Sequence, residues 1–243
     1  MNTDELMGHV CPKIRDLGWA FYFTPETLAR AKELGLDGLR FYFLGRGGVL
    51  GDVESSVVLA AFGYFEPGLL DTMWTSAATK LAPRTAGHEF MSCAADHGRG
   101  RLADVEGLES YCEAAGAVND AADATGLALY AGARAEPLVD DAQGRAMQLT
   151  AVLRELRGSA HLIALRAVGL PALTAHAIGR PGDLAMFGWG PDAAGEITDE
   201  HRRLRVEAER LTDDIVRPAY SVLDDAGRTA LSSGIDALEV ALT

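Results

Sequence analysis

The sequence predicts a mainly α-helical protein with an internal duplication, and three observations carry that reading. No stretch of the 243 residues shows the long apolar–polar alternation of a half-buried strand. Apolar residues recur instead at helical spacing, between clear start and stop signals. The stretch from Leu34 to Leu50, LGLDGLRFYFLGRGGVL, returns 134 positions later as Val168 to Leu184, VGLPALTAHAIGRPGDL. Seven of its seventeen positions are identical: Gly35/Gly169, Leu36/Leu170, Leu39/Leu173, Gly45/Gly179, Arg46/Arg180, Gly48/Gly182 and Leu50/Leu184. That is more than composition bias supplies, and it marks a repeat.

Taken in order, Leu6, Val10, Ile14, Leu17 and Phe21 form one stripe of a first helix over 4–20. Thr24 as N-cap, Pro25 at the first helical position and Glu26 in the first turn open a second helix, which stops at Gly35. Phe23 and Leu28 are placed to staple that start. Asp37 caps a short aromatic helix over 38–44, with GRGGVLG as the turn after it. Asp52 caps a helix ending near Phe62, and Pro67 starts another carrying Leu69, Leu70, Met73 and Trp74. Three short helices with tight glycine turns suggest a helix-turn-helix unit. Helices over 83–100 and 104–125 complete a first domain, 1–125. Residues 126–143, with Gly, Pro and paired acids, read as a connector to a second domain, 144–243. That domain holds helices over 143–158, from a Ser159 cap to Gly169, from Pro171 to Gly179, from a Thr198 cap through a strongly charged run, and over 225–242.

Charge narrows the function classes. Thirty-five acids oppose 22 bases, for a net charge of −13, whereas a nucleic-acid binder neutralises phosphates with Lys and Arg. Lys is nearly absent, so Arg carries the positive charge, and Arg suits fixed bidentate contacts to carboxylate, sulfate or phosphate. No apolar run approaches the length of a membrane span. Cys11, Cys93 and Cys112 are widely spaced with no CxxC, as expected of reduced thiols in the cytoplasm.

Several motifs together resemble an actinobacterial family of evolved helix-turn-helix proteins. They are Tyr22-Phe23-Thr24-Pro25-Glu26, Tyr42-Phe43-Leu44-Gly45-Arg46 with Leu50-Gly51, Leu153-Arg154 with Arg157-Gly158, His161 and Ala164-Leu165, and Thr212-Asp213. The resemblance implies tandem winged-helix units of the MarR type, here two degenerate repeats fused into one mainly α body with a central cleft. It implies no defined reaction. One departure is informative: only eight residues separate Gly188-Trp189 from Thr198, where the family would place a recognition helix and a wing strand. Both cannot fit in that length, so the second unit lacks the element that enters a major groove.

Candidate site residues follow from these motifs. His161 lies one helical turn after Arg157, which pairs an acid/base group with an anion holder. Arg46 and Arg180 occupy equivalent repeat positions and can both reach a shared cleft, and Arg40 lies near them in sequence. Trp19, Tyr22, Tyr42 and Tyr64 are candidates to line an amphipathic pocket. Glu54 and Asp71 are candidates to hold or deprotonate a substrate amine. GRGGVLG lacks the Lys-Ser/Thr of a phosphate loop, and His88, Glu89, Cys93 and His97 lack the HExxH spacing of a metal site.

These residues lead us to expect a cofactor-independent enzyme of bacterial specialised metabolism. Its substrate would be small, zwitterionic or anionic and amino-acid-like, and the reaction an intramolecular substitution or elimination that releases an anion. The competing expectation is a non-catalytic ligand binder or ligand-responsive regulator. Neither nucleic acid nor a membrane is an expected partner; a homodimer or a heteromeric partner subunit is compatible with either.

Overall fold

A computed structural model describes residues 1–243, and its regular structure is entirely helical. In chain order the helices are α1 (Thr3–Leu17), α2 (Pro25–Glu33), α3 (Gly38–Gly48), α4 (Ser55–Phe62), α5 (Pro67–Ala78), α6 (Pro83–Arg101), α7 (Leu108–Ala121), α8 (Ala128–Arg134), α9 (Ala142–Val168), α10 (Ala172–Gly179), a 3-10 helix (Pro181–Phe187), α11 (Asp199–Tyr220) and α12 (Asp225–Leu242). No strand forms, so neither half carries a wing. No single helix is long and apolar enough to cross a membrane. All three cysteines are free and buried.

The expected helix starts hold at α2, α3, α5 and α11. Thr24, Asp37, Glu66 and Thr198 each accept a hydrogen bond from a backbone N–H in the first turn of the helix they precede. Three expectations change. The N-cap of α4 is Glu54 rather than Asp52, and its side chain makes no capping bond. Ser159 opens no helix: α9 runs unbroken for 27 residues, about 40 Å at 1.5 Å per residue. A serine alone cannot break a helix whose neighbours Gly158 and Ala160 keep helical backbone. The 126–143 connector contains α8 and buries Leu127, Leu129, Tyr130 and Ala133, because Leu127 and Leu129 supply apolar surface that α9 covers.

A fourth change concerns GRGGVLG. Only its end, Val49 to Gly51, is a turn; Gly45, Gly47 and Gly48 form the last turns of α3, where they let α6 approach. A Cβ on Gly48 would lie 2.0 Å from the Pro83 carbonyl oxygen, and one on Gly45 would lie 2.7 Å from Phe90. The missing side chains make this contact possible, and it is the most extensive between any two helices of the fold. Gly48→Ala is therefore expected to lower unfolding stability by about 1–3 kcal/mol in urea melts. A change within a few tenths would show that α3 and α6 can separate freely.

The two similar stretches share one local structure. Gly35 and Gly169 both have φ +77° at a helix end. Leu36 N–H donates to Ala31 O and Leu170 N–H to Leu165 O, closing the same six-residue cap over a buried leucine. The next helix then begins three residues on in each case, at Gly38 and at Ala172. Beyond that the copies diverge, since α3 continues through Gly48 whereas α10 stops at Gly179.

One apolar cluster of 54 buried residues extends from Leu6 in α1 to Leu238 in α12. A second, of Ala164, Leu165, Leu170, Ala175 and Ala208, ties the end of α9 to α10 and α11. The candidate site lies where these two clusters meet.

Candidate functional site

At that seam the packing leaves a cavity of about 310 Å³. Six arginines line it (Arg15, Arg46, Arg154, Arg157, Arg180 and Arg205), against one carboxylate, Glu209. In a chain of net charge −13, this concentration inverts the character of the rest of the molecule. Tyr42, Tyr64, Phe65 and Phe187 form the apolar side. On α9, Arg154, Gly158 and His161 recur at steps of four and three, so they share one face. Opposite them α11 presents Arg205, Glu209, Thr212 and Asp213 at the same kind of spacing.

The arginines share their carboxylates. Arg46 donates from Nε and Nη2 to the two oxygens of Glu155, at 2.9 and 2.8 Å. Arg154 Nη1 and the Tyr22 hydroxyl also donate to Glu155 Oε1, at 2.8 and 3.1 Å. Burial pushes the Glu155 carboxyl up, but Arg46 and Arg154 more than offset this and hold it at about 2. The guanidinium of Arg46 also lies 4.2 Å from the Phe62 ring centroid. Nearer the opening, Arg157 Nη2 donates to Glu209 at 2.8 Å and to Asp213 at 3.1 Å. Arg205 is more loosely held, 3.5 Å from Glu209, and Arg180 lies 3.9 Å from both Asp16 and Asp183.

Buried polar atoms without a partner are rare in folded proteins. Of the eight such side-chain atoms in this chain, five belong to residues that line the cavity, although the atoms themselves are covered: the Nε atoms of Arg154, Arg157 and Arg205, Ser159 Oγ and His176 Nε2. Three of them can only donate. His161 Nδ1 lies 2.8 Å from Thr212 Oγ1, and its Nε2 is 3.9 Å from Glu209 Oε1. Burial pushes its imidazole below its ordinary value, Arg157 and Arg205 act in the same direction, and Glu209 opposes them.

The residues just before the stretch that is too short for a recognition helix pack on the first half beside this cavity, and Phe187 lines it. Phe187 stacks on Phe65 with ring centroids 4.4 Å apart, and Glu66 N–H donates to the Phe187 carbonyl at 2.9 Å. Trp189 Nε1 donates to the Tyr64 carbonyl at 2.7 Å. Gly188, at φ +86°, makes the sharp turn between them.

Five expected site residues line the cavity together: Arg46, Arg157, His161, Tyr42 and Tyr64. Arg180, the sequence counterpart of Arg46, joins them. Tyr22 reaches Glu155 from behind the wall. The remaining four do not line it. Arg40 donates to Asp37 and Ser76, Asp71 accepts from Ser55, Glu54 sits exposed at the start of α4, and Trp19 is exposed. Glu54 and Asp71 therefore handle no proton in this cavity, because the turn before α4 and the first turns of α5 carry them on the outside. Arg15, Arg154, Arg205, Glu209, His176 and Phe187 were missed. Arg154 stood in the same motif as Arg157, but Arg205 and Glu209 lay in a charged run that reads as solvated. Only their four-residue spacing, continued to Asp213, could have shown them as a face.

In the first half, α4 and α5 are joined by a turn at Gly63, whose φ is +78°. The turn abuts Leu162 of α9 so closely that a Cβ on Gly63 would lie 2.3 Å from Leu162 Cδ2. A model described as a helix-turn-helix family matches residues 9–180. The chain belongs to this helix-turn-helix family. No curated protein and no solved structure matches it. The exposed residues of α5 are Pro67, Gly68, Asp71, Thr72 and Thr75, and no Arg or Lys lies within the helix.

Proposed function

We propose that this helix-turn-helix protein binds a small metabolite bearing a compact oxyanion, held by the arginines of the central cavity, and that this cavity rather than a nucleic-acid surface is its working site. The observation that carries the reading is the lining itself: six arginines face a single carboxylate, Glu209, and two of them, Arg205 and Arg180, are held only by contacts of 3.5–3.9 Å, so they are free to turn to an acceptor-rich group. Sulfate, phosphate, sulfonate and carboxylate share that chemistry. The basic-poor face of α5 and the absence of a wing argue against docking in a major groove. The matching caps at Gly35 and Gly169, with Arg46 and Arg180 both on the cavity, support an origin of the two halves in one duplicated unit.

A second reading, cofactor-independent catalysis, is favoured by His161, an imidazole beside the arginine cluster that burial pushes below its ordinary value. In an intramolecular substitution, an amine nitrogen would bond to the carbon bearing the anion while the C–O bond breaks. The oxyanion would leave with that electron pair onto the arginines, and the ammonium proton would pass to His161.

Isothermal titration of the whole chain with inorganic sulfate and phosphate tests the binding reading, with a low-salt mobility-shift assay on duplex DNA beside it. The expected result is saturable heat with at least one anion and no shift of the duplex. A bound duplex with no anion heat would reverse the assignment.

A further inference from the structure

The two nitrogens of His161 are not equivalent. Thr212 is fully buried, and its hydroxyl donates to the Ala208 carbonyl one turn back on α11, at 2.6 Å. A hydroxyl has one proton, so at its 2.8 Å contact with His161 Nδ1 the Thr212 oxygen can only accept. Nδ1 must carry the hydrogen. In the neutral ring the lone pair then sits on Nε2, which makes no hydrogen bond within the chain and lies 3.9 Å from Glu209 Oε1. The charged groups around this ring are Glu209 and Asp213 on one side of the balance, and Arg157 and Arg205 on the other. Next to a wall of guanidinium donors, the cavity thus holds one pair of acceptors, a ring nitrogen and a carboxylate.

We infer that Thr212 is a positioning residue: it holds His161 with its proton on Nδ1, so that Nε2 and Glu209 together receive an N–H or O–H group of a ligand whose oxyanion lies on the arginines. This rests on reading the cavity as an anion site, and it narrows the ligand to a molecule carrying a donor, such as an amine, within a few bonds of the anion. A bare anion fills only half of the arrangement. Thr212-Asp213 is one of the sequence motifs, and holding the imidazole is a task for its first residue.

Two measurements test the inference on the full chain. In 15N-resolved imidazole NMR spectra, His161 should show a protonated Nδ1 and a free Nε2 in the wild type. Thr212→Val should shift it towards a mixture of tautomers, and Thr212→Ser should restore the wild-type pattern. In titrations, O-phosphoethanolamine should bind about tenfold or more tightly than ethyl phosphate, which lacks the amine. Thr212→Val should erase that preference while leaving ethyl phosphate binding unchanged, and Thr212→Ser should keep it. A wild-type ring protonated on Nε2, or a Thr212→Val spectrum identical to wild type, would overturn the role of Thr212. A wild type with no preference for the amine probe would overturn the acceptor pair. If neither probe binds, the anion-site reading falls, and with it the narrowed ligand class; the spectra alone then decide whether Thr212 sets the tautomer.

Discussion

Glu155→Ala is expected to remove about 3–5 kcal/mol of unfolding stability, the cost of breaking a buried ion pair from one side. The substitution leaves Arg46 and Arg154 facing each other across the cavity wall without the carboxylate they share, and strips the Tyr22 hydroxyl of its acceptor. Urea unfolding followed by circular dichroism measures this directly. Glu155→Gln, which keeps the shape and one acceptor, should cost less. The same carboxylate predicts a pH dependence. Its folded value, about 2, lies below the 4.5 of a free glutamate, so its contribution is fully present above about pH 4.5 and is lost as pH falls towards 2. The wild type should lose stability across that window more steeply than Glu155→Gln does. Equal slopes, or a loss under about 1 kcal/mol for Glu155→Ala, would mean that solvent reaches these guanidinium groups after all.

The second large effect falls on binding instead. Arg205→Ala is expected to weaken oxyanion affinity by about 10–100-fold, the range for losing charge-assisted hydrogen bonds. It should barely move the unfolding midpoint, because Arg205 makes no close ion pair and its Nε has no partner within the chain. Arg157→Ala should behave differently and lose stability as well, since Arg157 is bonded to both Glu209 and Asp213. Titration with phosphate and urea melts on the two variants separate these roles. An unchanged affinity in Arg205→Ala would place the anion elsewhere in the cavity.

Local signals made the helices legible. Thr24-Pro25-Glu26, Asp37, Pro67 and Thr198 each mark a helix start through chemistry confined to one turn, and the structure places starts at all four. The boundaries that failed depend on distant neighbours. Gly45, Gly47 and Gly48 read as a turn because the sequence does not reveal that α6 lies against them. Ser159 reads as a cap because its position inside a buried helix is a tertiary fact.

The site was legible in part for the same reason. Arg46, Arg157 and His161 stood out through repetition and motif, and they do converge on the cavity. Glu155 did not stand out, although it organises two of the arginines, because a single glutamate between two arginines in a helix usually signals surface. That no recognition helix fits between Trp189 and Thr198 was legible from length alone. That Phe187 and Trp189, just before this stretch, would press against the first half was not, since nothing local specifies what they touch.

The pairing of α1 with α12 sets the order in which this molecule can be finished. Lys13 near one end bonds to Asp236 and Glu239 near the other, and Leu6 and Leu238 lie in the same apolar cluster. During synthesis the part of α1 that α12 covers therefore stays open until residues 225–242 have been made, whereas α9 and α11 can cover the rest of it sooner. A ribosome-stalled chain ending before residue 225 should be cut more readily by protease at α1 than one that carries α12.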